Sequence, residues 1–307
     1  GRDALRNNTT ASSNTAVGYQ ALYNNTTTDA VVAVGWAAGY SKTTTGSNFA
    51  QTYVGTKAGY SNQTGIDNTY IGGYSGFNST GSYNTALGSG SLYNNTTASE
   101  NTAVGMQAGY NNTVGAKNTF IGRVAGYNVR GSNSVAVGSR ALYAPAINTN
   151  NPTQSNVAVG ESALILANLT SGTIEYNTVV GTDTARNYQR TTGGFFYNTA
   201  IGGSSMDVFN QTTGVTDQNV SVGYNALRLN SVTTGNVSYN VAIGNEALQA
   251  AATTTANTYY NTAIGRRALK NNNGGAYNTA IGPDALYLTT TGAENVAVGS
   301  FALDSNT

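Results

Sequence analysis

The sequence predicts an all-β chain, a parallel β-solenoid or β-roll of about 17 coils running over residues 1–307 as one domain. Three observations carry this. A short motif recurs in phase along the chain. Its columns alternate with the period of two that belongs to strands. Charge is kept out of those columns and collects between them.

The motif is N-[TV]-A-[VI]-G-x-x-A-[LG], seen in full at Asn14–Leu22, Asn101–Gly109, Asn240–Leu248, Asn261–Leu269, Asn278–Leu286 and Asn295–Leu303. Its glycines are Gly18, Gly35, Gly55, Gly72, Gly88, Gly105, Gly122, Gly138, Gly160, Gly181, Gly202, Gly223, Gly244, Gly265, Gly282 and Gly299, and Gly1 opens a truncated copy. Their spacing divides the solenoid into short coils over 1–138, long coils over 139–265 and short coils again over 266–307. Length added to a repeat goes to loops on one face. The extra residues of the long coils, within 144–155, 166–176, 187–197, 207–218, 228–239 and 249–260, are therefore expected to project outward as receptor-contacting loops.

The residue before each glycine is Val, Ile or Leu, and two residues earlier stands Thr or Val, so these two share one strand face. Between them usually lies Ala, and sometimes Tyr53, Tyr70 or Phe120. Of the 27 charged residues none falls in the four positions before a glycine or in the third and fourth after it. That is the pattern of a coil with two buried walls and solvated corners. The Asn heading most motifs fits a side-chain amide ladder from coil to coil.

Composition excludes several classes. Charged residues make up 9%, against about 25% in ordinary domains. Twenty-one Tyr and regularly spaced Val, Ile, Leu and Ala argue against disorder. A net charge of +1 offers no basis for nucleic-acid binding. There is no His and no Cys, which removes the commonest general base, thiol nucleophiles, the usual zinc ligands and disulfides. No apolar run is long enough for a membrane-inserting helix. The opening Gly1-Arg2-Asp3-Ala4-Leu5 starts inside a repeat, which predicts a piece or processed product of a longer chain.

The x-A-[VI]-G-x-x-[AS] core resembles the head repeats of YadA-like trimeric autotransporter adhesins. The fuller form, Asn14-Thr15-Ala16-Val17-Gly18-Tyr19-Gln20-Ala21-Leu22-Tyr23-Asn24-Asn25-Thr26-Thr27, resembles repeats of phage-type tail fibres, which often end in an endosialidase-type chaperone. The resemblance covers essentially the whole chain. It implies a left-handed roll, three chains to a fibre, and a role in host attachment. The coil spacing here exceeds that of the adhesin heads, and no chaperone, coiled-coil stalk or membrane anchor is in this sequence.

A homotrimer also follows from a size argument. A 17-residue coil encloses few large side chains, each worth about 1.5–3 kcal/mol on burial. Ordering the coil costs about 1–2 kcal/mol per residue. The Ala column, with Ala16, Ala33, Ala86, Ala103, Ala136, Ala158, Ala200, Ala242, Ala263, Ala280 and Ala297, is expected to lie near a subunit contact.

The candidate surface site is an aromatic stripe at the fifth position after the glycine: Tyr23, Tyr40, Tyr60, Phe77, Tyr93, Tyr110, Tyr127 and Tyr143. Stacking between coils accounts for it, and the sharper alternative is a sugar-binding stripe. Sequons such as Asn8-Thr9-Thr10 and Asn62-Gln63-Thr64 arise readily in Asn- and Thr-rich turns. Thr runs sit in variable loops and do not make the flat array of an ice binder. Gly72-Gly73 and Gly274-Gly275 lack the Lys of a phosphate loop. No catalytic residue, cofactor or metal site is predicted. The expected function is therefore non-enzymatic: the rod-like shaft or head of a tail fibre or surface adhesin, roughly 80 Å long at about 4.8 Å per coil, outside the cell or on a virion. The alternatives are a subunit of an extracellular filament and a carbohydrate-binding module on a fibre. The expected partners are other copies of the chain, as trimer or filament, and a host-surface glycan.

Overall fold

In the computed structural model the described residues are 1–43, 50–144, 153–165, 172–186, 192–208, 213–229, 234–250 and 257–305. Among them every regular element is a β-strand and none is a helix. The fold is an all-β parallel β-solenoid. It forms two compact units, Gly1–Arg140 and Ala141–Thr307, divided just after Gly138, where the coil length changes.

In the first unit the motif strands are Thr15–Val17, Val31–Val34, Gln51–Val54, Thr69–Ile71, Thr85–Leu87, Thr102–Val104, Thr119–Ile121 and Val135–Val137. Each pairs in parallel with the next, motif position on motif position, as in Thr85↔Thr102, Ala86↔Ala103 and Leu87↔Val104. The second unit repeats this with Val157–Val159, Thr178–Val180, Thr199–Ile201, Val220–Val222, Val241–Ile243, Thr262–Ile264, Thr279–Ile281 and Val296–Val298.

Strands this short need corners, and the corners are left-handed. Residues two and four places after the motif glycine adopt positive φ along the chain, for example Gln107 at 55° and Leu92 at 48°. The residue before the motif Asn does the same, as at Tyr83 (60°) and Glu100 (60°). The motif glycines go further, to φ between 123° and 140°, where only glycine is at ease. A Cβ on Gly88 would also stand 2.5 Å from the carbonyl oxygen of Gly105. Successive backbones pass too closely there for any side chain.

The interior is built from the Ala column and the fourth position after the glycine. Ala33, Ala86, Ala103, Ala136, Ala158, Ala200, Ala242, Ala263 and Ala280 have no exposed surface. This corrects the expectation that the Ala column lies near a subunit contact. The strand is inverted relative to it, with Ala inside and the Thr/Val and Val/Ile/Leu columns outside. The cause is width. Leu22, Leu92, Leu142, Leu227, Leu248 and Leu269 reach across from the opposite wall, leaving room for only a methyl group facing them.

The exceptions obey the same volume rule. Where the Ala column holds Phe120, both flanking Leu positions are glycine, and a Cβ on Gly109 or Gly126 would stand 2.7 or 2.2 Å from the Phe120 ring. Tyr53 is likewise flanked by Gly39 and Gly59, and Tyr70 by Gly76. In the second unit Val179 stands in the Ala column of a coil whose Leu position holds the smaller Ala185, and both are buried.

The long coils hold a second parallel sheet: Thr153–Gln154, Ile174–Glu175, Phe195–Phe196, Thr216–Asp217, Val237–Ser238 and Thr258–Tyr259. Its first residues are buried, Ile174 and Val237 completely. Val208, Leu229 and Ala250, joined by parallel bridges, line another buried column. The described part of the long-coil intervals therefore widens the core. The remainder of the intervals expected to project lies outside the described residues.

Candidate functional site

The motif Asn residues pin the coils together and fix the strand face beside them. Asn84 Oδ1 accepts from Asn101 N at 3.0 Å, and Asn101 Oδ1 accepts from Asn118 N at 3.0 Å. Asn156, Asn177, Asn198, Asn219, Asn240 and Asn261 continue the pattern in the second unit, with added amide-to-amide bonds such as Asn177 Nδ2 to Asn156 Oδ1 at 2.9 Å. These amides are almost fully buried and hydrogen-bonded, the condition for burying polar groups at low cost.

The outer strand face is apolar or Thr at every position. Val17, Leu87, Ile121, Ile201, Ile243 and Ile281 are exposed, Val17 at 55% and Ile201 at 41%. Val32, Val157 and Val220 are exposed one pleat away. No charged residue occupies either outward column. The strand face thus exposes Val, Ile and Leu beside Thr with no charge among them.

The fifth-position aromatics form a ladder. In the first unit Tyr23, Tyr40, Tyr60, Phe77, Tyr93, Tyr110 and Tyr127 stack in sequence, with ring centroids 5.0–5.2 Å apart and planes within 13°. Each is half-buried, so the ring faces are largely spent on one another. Tyr143 belongs to the second unit and is also half-buried. Beside the ladder, Lys57 Nζ sits 4.9 Å from the Trp36 ring, 5.4 Å from Tyr60 and 5.8 Å from Tyr74, a cation–π cluster that the sequence reading missed.

A second ladder was also missed. Tyr176 stacks on Tyr197 at 5.0 Å, and Tyr239, Tyr260 and Tyr277 stack at 4.8 and 5.1 Å, all exposed. Its signal was the Tyr-Asn pair that opens five of these motifs.

Between Tyr143 and Tyr287 the fifth-position column of the second unit becomes Ile165, Arg186, Asp207, Arg228, Gln249 and Lys270. Asp207, fully buried, accepts from Arg186 N at 2.9 Å and from the Arg186 guanidinium at 3.1 Å, and Arg186 also meets Asp183 at 2.9 Å. Burial pushes the Asp207 carboxyl up to about 6, against the pull of Arg186 and Arg228. In the first unit Lys42 is buried in a corner position that Asn25, Asn95 and Asn112 fill elsewhere. Its ammonium donates to the Gly65 carbonyl, which Gln51 Nε2 also reaches at 2.6 Å. Burial lowers the Lys42 pKa to about 7, opposed by the charge of Asp67.

Among the described residues no group of three or more His, Cys, Asp or Glu is placed to hold a metal ion, and no helix is long and apolar enough to cross a membrane. No family model, no curated protein and no solved structure matches the chain.

Proposed function

We propose that the chain is a structural and adhesive fibre segment, a solenoid of about 17 coils that works as a homotrimer on a virion or cell surface. The observation that supports this reading best is the outer strand face. The coil interior is already filled by Ala and Leu, yet the columns beside each motif glycine still present Val, Ile, Leu and Thr without a charge. A single chain gains nothing from that exposure. Three chains turned inward around one axis cover all three faces and leave the charged corners in water. The Asn ladders tie each coil to the next, so that each added coil lengthens the contact. The resemblance to adhesin-head and tail-fibre repeats rests on the motif residues and agrees in the number of chains.

The role is mechanical. A repeat that stacks only on its neighbours extends without new design, and it separates whatever stands at its two ends. Sedimentation equilibrium of the purified chain tests the reading. A species of three chain masses is expected. A well-folded monomer, or a mass that grows with concentration as in an end-to-end filament, would overturn it.

A further inference from the structure

In the first unit one surface notch stands beside the aromatic ladder, and a single residue makes it. In the first unit the other second-position residues after a motif glycine carry a side chain at a left-handed corner: Asp3, Gln20, Ala37, Lys57, Tyr74, Gln107, Val124 and Arg140, of which Ala37 and Val124 are buried. In the coil between Tyr74 and Gln107 the second-position residue is Gly90. Rung order is fixed by backbone bonds, Gly90 N to Gly73 O and Gln107 N to Ser89 O, both 2.9 Å. Tyr74 and Gln107 therefore stand two rungs apart, about 9.6 Å at strand spacing, and the rung between them contributes no side chain at this position.

Packing does not demand the glycine. A Cβ at Gly90 would meet its nearest neighbours at 3.5–3.6 Å, an ordinary contact, and its φ of 63° is close to the 55° that Gln107 tolerates. The motif glycines are forced by the backbone; Gly90 leaves an opening instead.

The opening has a volume of about 210 Å³. That lies below the range of about 300–1,000 Å³ for drug-sized ligands and suits a single ring. Tyr93 and Tyr110 of the ladder line it. One wall is Tyr74, exposed and tilted 36° from Tyr93 instead of stacked on it, with Lys57 Nζ 5.8 Å from its ring centroid. The opposite wall is Met106 and Gln107. The lining thus combines rings and a thioether for apolar contact with three residues that carry donors and acceptors, Ser89, Gln107 and Tyr74. No charged side chain lines it.

We infer that the Gly90 notch binds one neutral pyranose of a glycan, with a C–H face of the sugar against Tyr74 and its hydroxyls toward Ser89 and Gln107. A sugar ring combines an apolar face with a hydroxyl rim, and that is the chemistry of this lining. An anionic sugar would lose its hydration to a lining without a charged side chain, Lys57 one coil beyond Tyr74 being engaged with the Trp36, Tyr60 and Tyr74 rings. The inference is independent of the trimer, because it uses corner residues and not the outer strand face.

Ligand-observed saturation-transfer NMR on the whole protein tests it. The probes are the methyl glycosides of glucose, galactose, mannose and N-acetylglucosamine, with methyl glucuronide as the anionic comparison. At least one neutral probe should bind, with half-saturation on the order of a millimolar for so small a ligand. The strongest transfer should fall on the protons of one ring face, and the glucuronide should bind at least tenfold more weakly. Gly90→Gln installs the residue that Gln107 already carries one rung away, so the fold is kept while the notch is filled. It should abolish the signal with an unchanged unfolding temperature, and Arg140→Gln, in the same column but away from the notch, should leave it intact. No transfer to any neutral probe, equal binding by the glucuronide, or undiminished binding by Gly90→Gln would each overturn the assignment. A failed result here with a trimer in sedimentation would leave the assembly reading standing.

Discussion

Two buried ions give this low-charge chain a pH dependence that can be calculated in sign. Lys42 titrates near 7 when folded, below its ordinary 10.5. Between these values the unfolded chain holds a proton that the folded chain does not, so stability rises as pH is raised from about 7 toward 10.5. Asp207 titrates near 6 when folded, above its ordinary 3.8. There the folded chain holds the extra proton, so this group is most favourable below about 4, and stability falls as pH rises to about 6. Thermal unfolding of Asp207→Asn should lose the acid-side slope and rise at pH 7 by up to about 3 kcal/mol. Arg186 would keep Asp183 as a partner. Lys42→Met should lose the slope between pH 7 and 10. If either variant keeps the corresponding slope of the parent, that ion is not the source. Neither ion was legible in the sequence. Lys42 stands in a variable stretch and Asp207 in a column that reads as solvated, and only the coil's third dimension places them inside.

At the scale of the element, the solenoid fold and its strand positions were legible because the motif glycine admits no substitute and so keeps its phase. Which strand face lies inside was not read correctly. The two columns are visible in the sequence, but the pattern points the Ala column at a subunit contact, when a coil this narrow receives its bulk as Leu from the other wall and turns Ala inward. A usable signal was present: Tyr53, Tyr70 and Phe120 replace Ala in the coils where Leu gives way to Gly39, Gly59, Gly76, Gly109 and Gly126, and only residues that face each other exchange volume. The second sheet was hidden for another reason, since two-residue strands such as Ile174–Glu175 are too short to show a period. The exchange itself is testable by equilibrium denaturation. Phe120→Ala should cost about 3–5 kcal/mol, because it empties a site with glycine on both sides. Adding Gly109→Leu and Gly126→Leu to that variant should recover most of the loss, whereas the two Leu substitutions in the parent should destabilise it severely. Additive effects in the combined variant would show that the three positions do not share one volume.

For the whole molecule, the two faces of a motif strand predict opposite kinds of failure. Ala103 is wholly inside the coil, opposite Leu92, and has no exposed surface. A Glu there must place a carboxylate in a filled apolar interior without a partner. Ala103→Glu should therefore lose the folded state itself, seen as loss of the β-sheet circular dichroism. Leu87 and Ile201 are outward neighbours of that interior and are 46% and 41% exposed in the single chain. A Glu at either position is accommodated by one chain alone, but three chains facing one axis would bring three carboxylates together in an apolar seam. Leu87→Glu and Ile201→Glu should keep the circular dichroism of the parent while sedimenting at one chain mass, or as trimer only near pH 4, where the added carboxyl groups are protonated. Such pH-restored assembly would tie the contact to this face, since a loss caused by misfolding would not reverse on protonating one side chain. Trimers that persist unchanged at pH 7 in both variants would mean that the Val/Ile face is not the seam and that the chains meet along another wall of the coil.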